Sequence, residues 1–161
     1  MPDDVYTTEQ RAKEHSLHFI NIKVRNVVGI LNRIASLMRR KRYNMEEVSV
    51  SFESNDTAYI LVAVDGRLVD VTQVMHQIEK LYDVISAQDV TDQKDKLYNA
   101  IYVDAMDERA LAELPQKPLR IVFAENGVKG VFMLSLEETA PFISALTNNK
   151  LRSIRRVINL C

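Results

Sequence analysis

The spacing of apolar residues between positions 17 and 91 alternates between two periods. This alternation restricts the possible folds more than any other feature of the sequence. In LHFINIKV apolar residues recur at every second position, which is typical of a strand with one buried face. From residue 30 they recur at every third or fourth position, which is typical of a helix with one apolar side. EEVSVSFE and TAYILVAVDG return to strand spacing, and a second helical stretch and a weaker strand, YDVISAQDV, follow. The predicted order is therefore β-α-β-β-α-β.

The same order repeats after the polar linker TDQKDK. Strand-like segments alternate with a short helix in DERALAEL and a longer helix around APFISAL. Asn126-Gly127 predicts a hairpin turn, and Pro141 predicts the first turn of a helix capped by Thr139. The predicted fold class is α+β, with two tandem ferredoxin-like (βαββαβ) units, each an antiparallel four-stranded sheet with two helices on one face.

This parse predicts three parts. Residues 1–16 form a polar N-terminal tail, residues 17–92 form the first unit, and residues 93–161 form a second unit with a shortened first helix. The apolar run from Ala58 to Val64 indicates that the second face of the first sheet is also covered, by a dimer or a domain contact.

Composition argues against several classes of function. The 21 Lys and Arg residues against 22 Asp and Glu leave a net charge of −1, so no global field recruits nucleic acid or an acidic membrane. No apolar run approaches the roughly 18–20 residues that span a bilayer. The single cysteine, Cys161, cannot form an internal disulfide and suits a reducing compartment. We therefore expect a soluble, cytoplasmic protein with no membrane or nucleic-acid partner.

No catalytic or metal site is predicted. The three histidines, His15, His18 and His76, lack the spacing of metal ligands. Neither a catalytic triad, nor HExxH, nor a P-loop, nor a nucleotide-binding glycine pattern is present in the sequence.

The start of the first long helix is the place where the sequence predicts a ligand. A helix N-terminus leaves its first N–H groups without intrahelical partners and attracts carboxylates or phosphates. Gly29 lets a ligand approach the backbone closely, and Asn26 lies in the turn just before. Asn44 and Met45 open the next strand, which we expect to run beside the first strand and to add a polar clamp with an apolar wall. This set suits an amino-acid zwitterion with a hydrophobic side chain.

The stretch VRNVVGILNRIASLMRRKRYNMEEVSVS resembles the N-terminal ACT domain of the small regulatory subunit of acetohydroxyacid synthase, also called acetolactate synthase. The shared pattern is Asn, two residues, Gly-x-Leu-x-Arg-Ile, and later Tyr/Phe-Asn-Ile. A looser similarity continues to Val90. One departure is that the family usually has a glycine at the end of this helix, where the backbone must be left-handed, and this chain has Arg42.

The resemblance implies a non-catalytic subunit that binds the catalytic large subunit of acetolactate synthase, raises its activity and mediates feedback inhibition by a branched-chain amino acid, valine before others. Thiamine diphosphate, Mg²⁺ and FAD are expected on the catalytic partner, and no cofactor on this chain. The effector is expected at the interface of two ACT domains in a homodimer. The implied effector-binding residues are Asn26, Gly29, Ile30, Leu31, Asn32, Asn44 and Met45.

Other hypotheses stay open beside this one. A stand-alone ACT-domain amino-acid sensor, regulating a different enzyme or a transcription factor, would use the same site without a catalytic partner. An RNA-binding module shares the βαββαβ order, but TAYILVAVD lacks the aromatic signature of that fold. The basic run RRKR complements the dipole at a helix end more readily than it indicates nucleic acid. An independent enzyme ranks lowest, because no nucleophile or acid–base pair is visible.

Overall fold

The computed structural model of the protein describes residues 16–159. Most of the predicted polar tail, residues 1–16, and the single cysteine, Cys161, lie outside the described residues. The chain divides into two compact units after Asp92, and each unit is described by itself.

The first unit contains a four-stranded antiparallel sheet with the strand order β2-β3-β1-β4. Its strands are β1 (Leu17–Arg25), β2 (Glu47–Phe52), β3 (Thr57–Asp65) and β4 (Val84–Asp89). The alternation in LHFINIKV arises because Ile20, Ile22 and Val24 all point into the core of this unit and are fully buried.

Two helices supply the other half of this core. They are α1 (Ile30–Lys41) and α2 (Val71–Glu79). The three-to-four spacing of apolar residues places Ile34 and Met38 of α1, and Val74 and Ile78 of α2, in the same buried cluster as the strand residues. The α2 helix starts where Asp70 accepts a hydrogen bond from the Gln73 amide at 3.1 Å.

The expectation that β2 runs beside β1 is wrong. β2 pairs with β3, with Val50 opposite Ile60, and forms one edge of the sheet. The short turn between β2 and β3 makes these two strands a hairpin, and both sides of β1 are taken by β3 and β4. Residues that lead into β2 therefore lie away from the end of β1.

The apolar run in β3 is buried on both faces. Ile60 and Val62 belong to the core beneath the helices, whereas Leu61 and Ala63 point to the opposite face and are only 5% and 0% exposed.

The second unit repeats the topology, with strand order β6-β7-β5-β8 and all neighbouring strands antiparallel. A short 3₁₀ turn at Lys94–Lys96 precedes it. Its elements are β5 (Leu97–Ala105), α3 (Glu108–Ala112), β6 (Arg120–Ala124), β7 (Gly127–Ser135), α4 (Leu136–Asn148) and β8 (Arg152–Asn159). The predicted fold class, α+β with two tandem ferredoxin-like units, is confirmed. The first helix of the second unit, α3, has five residues.

The predicted start of α4 is wrong. The helix begins after Ser135, whose hydroxyl accepts from the Glu138 amide while the Glu138 carboxylate accepts from the Ser135 amide. This reciprocal capping box fixes the start four residues earlier than Thr139 and leaves Pro141 inside the helix. Thr139 instead is buried and accepts a hydrogen bond from Asn99 at 2.8 Å. The predicted hairpin between β6 and β7 is present, with Gly127 as the first residue of β7.

Candidate functional site

The turn that leads into α1 has a backbone that glycine adopts most easily. The Ile30 amide donates to the Val27 carbonyl at 3.2 Å, which closes a β-turn over Val28 and Gly29. Gly29 has φ 82° and ψ 5°, as the third residue of a type II turn requires. A Cβ added to Gly29 would meet no atom within 4 Å. Glycine is therefore needed for the backbone, and the space above the turn is open.

The N-terminus of α1 is not capped by any side chain of the described residues, and its first turn contains no acidic residue. The Ile30 amide donates back into the turn, and the Arg33 amide donates to the Gly29 carbonyl. Within residues 16–159 this leaves the amides of Leu31 and Asn32 without a partner. Free amides at the positive end of a helix dipole favour an anion such as a carboxylate.

A depression of about 570 Å³ lies beside this turn. The depression is largely open to solvent. The lining is mainly aliphatic, so a small apolar group fits next to the free amides. The residues that line it are Val27, Gly29, Ile30, Leu31, Asn32 and Ala35. Four of the predicted site residues, Gly29 to Asn32, thus lie together at one place.

Asn26, also predicted for the site, is tied to the hairpin turn between β2 and β3. Its backbone amide donates to the Asp56 carbonyl at 2.8 Å, and its side-chain Nδ2 donates to the Asn55 carbonyl at 3.0 Å. The side chain is exposed but does not line the depression. One of the two Nδ2 hydrogens is therefore engaged within the chain, and the other hydrogen and Oδ1 are left to meet a ligand.

Asn44 and Met45 lie at the other end of α1. A 12-residue helix is about 18 Å long. Asn44 is exposed, and its Nδ2 donates to Glu46 Oε1 at 2.9 Å. Met45 packs against the core of the first unit. Within one chain, the structure does not bring these two residues to the depression beside Gly29.

Arg42 takes the left-handed backbone expected at the end of α1. Its φ is 58°, its amide donates to the carbonyls of Arg39 and Met38, and the Tyr43 amide donates to Met38 at 2.9 Å. These bonds close the helix as a glycine cap normally does. The departure from the family pattern changes the residue and leaves the helix end in place.

Sequence reasoning missed the contacts that hold the turn. The guanidinium of Arg33 donates to the Asp83 carboxylate, and its Nη2 donates to the Val28 carbonyl at 3.2 Å. Asp83 is only 7% exposed. No local pattern marks Asp83, because it comes 50 residues later and meets Arg33 only in the folded chain. Val27 and Ala35 were also missed; their place on the same side of the turn and helix as Leu31 is the signal that could have found them.

The positive potential in the depression comes from backbone amides and the helix dipole. The groups with a shifted pKa in the described part of the chain, Lys23, Asp65 and Asp89, are not among its lining residues. The Arg67 guanidinium beside Asp65 holds the pKa of that carboxyl well below its usual range. Burial raises the pKa of Asp89, but hydrogen bonds from Thr91 and His18 outweigh it and the net shift is downward.

The described residues contain neither a metal-binding cluster nor a helix that could span a membrane. Among residues 16–159, no cluster of His, Cys, Asp and Glu side chains could hold a metal ion. None of the helices in this range is long and apolar enough to cross a bilayer.

Residues 20–86 match the family described as the AHAS small subunit-like ACT domain, in which AHAS denotes acetohydroxyacid synthase. The resemblance seen in the sequence is confirmed over this range, which includes the whole of α1 and the depression beside it.

Curated relatives carry the same name. The chain is 37% identical over 76 residues to the acetolactate synthase small subunit of Aquifex aeolicus, covering 47% of this chain and 40% of that protein. It is 35% identical over 79 residues to the acetolactate synthase small subunit of Bacillus subtilis, covering 46% of this chain and 44% of that one. The matched residues span less than half the length of each relative.

A solved structure extends the similarity to both units. The small subunit of acetolactate synthase from Thermotoga maritima superposes with a TM-score of 0.66, covering 89% of this chain and 96% of that one, at 17% sequence identity. At this identity the comparison shows a shared fold.

Proposed function

We propose that this chain is a non-catalytic regulatory subunit of acetolactate synthase that binds a branched-chain amino acid, valine before others, at the N-terminus of α1. The observation that carries the proposal is an uncapped helix start that opens into an aliphatic depression, at four of the seven residues that the family resemblance assigns to the effector. Its partner is the catalytic large subunit, which is expected to carry thiamine diphosphate, Mg²⁺ and FAD.

The depression suits each part of a branched-chain amino acid. The carboxylate accepts hydrogen bonds from the amides of Leu31 and Asn32, where the helix dipole adds a favourable potential. The branched side chain contacts the aliphatic wall formed by Val27, Leu31 and Ala35. The ammonium group needs oxygen acceptors, and side-chain amides such as that of Asn32 supply them without adding a charge.

A second copy of the chain completes this site. Asn44 lies at the far end of α1, so it reaches a ligand at Gly29 only from another copy. A two-fold axis beside α1 would run the two helices antiparallel and bring the Asn44 end of one copy to the Gly29 end of the other. β2, which follows Asn44 closely, is an edge strand that could pair with its equivalent in a homodimer.

Regulation then follows from unequal binding to two arrangements of the dimer. Valine held between two copies favours the arrangement in which both walls of the site are close together, and this changes how the catalytic subunit is held. A coupling free energy of about 1–3 kcal/mol, or roughly 5–150-fold in affinity, is typical of such effects. The chain itself carries out no reaction step.

The test is an activity titration. The catalytic subunit of acetolactate synthase from the same cell is assayed with increasing amounts of this chain, with and without valine, leucine or isoleucine. We expect the rate to rise with the chain and to fall again with one of the three amino acids. A rate that does not respond to the chain would refute the proposal.

One observation favours a second candidate. The family match ends at residue 86, so it covers the ACT domain and not the second unit. A stand-alone amino-acid sensor that regulates a different enzyme or a transcription factor would need only that domain. This second hypothesis predicts that one amino acid raises the melting temperature of the chain, whereas the chain does not change the activity of the catalytic subunit.

A further inference from the structure

We propose that Arg33 is a positioning residue of the amino-acid site, holding the turn before α1 in the shape that presents the Leu31 and Asn32 amides. The proposal rests on the proposed function, since it assigns a role within that site. Arg33 does not line the depression and is not expected to touch the ligand.

Arg33 joins two parts of the first unit that are far apart in sequence. One nitrogen of its guanidinium donates to the Asp83 carboxylate, next to the start of β4, and the other donates to the Val28 carbonyl in the turn. Asp83 is held in a fixed position because it is buried and because its backbone carbonyl accepts a hydrogen bond from the Arg25 amide at 2.9 Å. The turn is thus fastened to the end of β1 and the start of β4.

Arg33 in the first turn of α1 cannot be explained by a contribution to helix stability. A cation near the N-terminus of a helix opposes the dipole, and Arg33 is only the fourth residue of α1. Its charge is compensated by Asp83, so it is not a free counter-ion for a ligand. What it adds is a second hydrogen bond, to the peptide between Val28 and Gly29.

Positioning the turn requires a side chain that can donate to two acceptors at once, and the planar guanidinium of arginine can do so. Arginine presents several donors in a fixed plane and can reach two acceptors at once, whereas the lysine ammonium is a compact point charge. In Arg33→Lys we expect the ion pair with Asp83 to survive and the bond to the Val28 carbonyl to be lost. This variant separates positioning of the turn from pairing of the buried carboxylate.

Arg67 offers a matched control within the same unit. It also pairs with a buried carboxylate, that of Asp65, and its side chain is 50% exposed, against 46% for Arg33. Arg67 follows β3 and is not among the residues that line the depression. Arg67→Lys therefore makes the same chemical change at a buried aspartate elsewhere.

Two measurements on the full chain test the proposal: the valine dissociation constant by calorimetry, and hydrogen exchange, without ligand, of the Ile30 amide, which donates to the Val27 carbonyl across the turn. If the turn keeps its shape only about a tenth of the time in Arg33→Lys, the dissociation constant rises about tenfold. Exchange of the Ile30 amide should also become faster. Arg67→Lys should leave both quantities within about twofold of the wild-type chain.

The outcomes separate this proposal from the proposed function. Unchanged exchange of the Ile30 amide in Arg33→Lys overturns the positioning role, and so does an unchanged valine dissociation constant where the wild-type chain binds valine. If the wild-type chain binds no branched-chain amino acid, the proposed effector is refuted, and the exchange measurement still decides whether Arg33 holds the turn.

Discussion

Gly29 and Arg42 both have left-handed backbones, at opposite ends of the same helix, but only one of them is a glycine. At Gly29 the conformation belongs to the turn that precedes the free amides, and a side chain there would be added to a residue that lines the depression. At Arg42 the side chain points to solvent and only the backbone matters. The same backbone geometry therefore has different consequences at the two residues.

The sequence predicts residues whose role depends on local backbone. Gly29 to Asn32 could be assigned because a helix start and its glycine are visible in the order of residues. Arg33 and Asp83 could not, since their pairing depends on how β4 returns beside β1. Asn44 was correctly placed after the helix, but only the folded chain shows that it lies a helix length from Gly29.

The lowered pKa of Asp65 predicts how the free energy of unfolding depends on pH. The hydrogen bond from Arg67 lowers the pKa of this buried carboxyl below its usual 3.8. Because the folded state binds this proton less readily than the unfolded chain, the stabilisation is complete above about pH 4 and is lost as the pH falls below it. Urea unfolding between about pH 2 and 5 should show this loss in the wild-type chain and a weaker one in Asp65→Asn.

The exposed carboxyl of Asp92 supplies the control for this series. Asp92→Asn should keep the wild-type dependence on pH. An Asp65→Asn chain that loses stability as steeply as the wild-type chain below pH 4 would contradict the assignment.

At the scale of elements, caps decided where helices begin and end. In α4 the capping box of Ser135 and Glu138 set the start, although Pro141 alone pointed to a later one. In α1 the end was predicted correctly from the basic run, and the bonds to Met38 and Arg39 close it even without a glycine. The strand order of the first sheet was harder to predict at β2, because hairpin pairing leaves β2 at an edge.

The end of α1 predicts opposite effects for one substitution at two neighbouring positions. Arg42→Gly removes the cost of a left-handed backbone in a residue with a Cβ and should raise the free energy of unfolding by about 1 kcal/mol. Arg40→Gly, within the helix and also exposed to solvent, should lower it by about 1 kcal/mol. Urea unfolding of both variants measures the difference, and equal signs would contradict this account of the cap.

At the scale of the whole molecule, two units share one topology, but only the first is matched by the ACT-domain family over residues 20–86. The repeat could be predicted because the change of apolar period occurs twice along the chain. What the second unit contributes cannot be deduced from its pattern, since apolar periodicity encodes a core and not a binding partner. In the proposed homodimer, the two ends of α1 would contribute to two different sites related by symmetry.

The claim that two copies build each site can be tested by mixing two variants. Ala35→Phe fills the depression on its own copy, and Asn44→Ala removes the contribution made to the other copy. Each variant alone should lose valine binding while keeping the wild-type circular dichroism spectrum. In a mixture of the two that has exchanged subunits, half of the dimers combine both variants and each has one intact site, so calorimetry should recover about a quarter of the wild-type stoichiometry. Full valine binding by Asn44→Ala alone, or no binding in the exchanged mixture, would contradict a site shared between two copies.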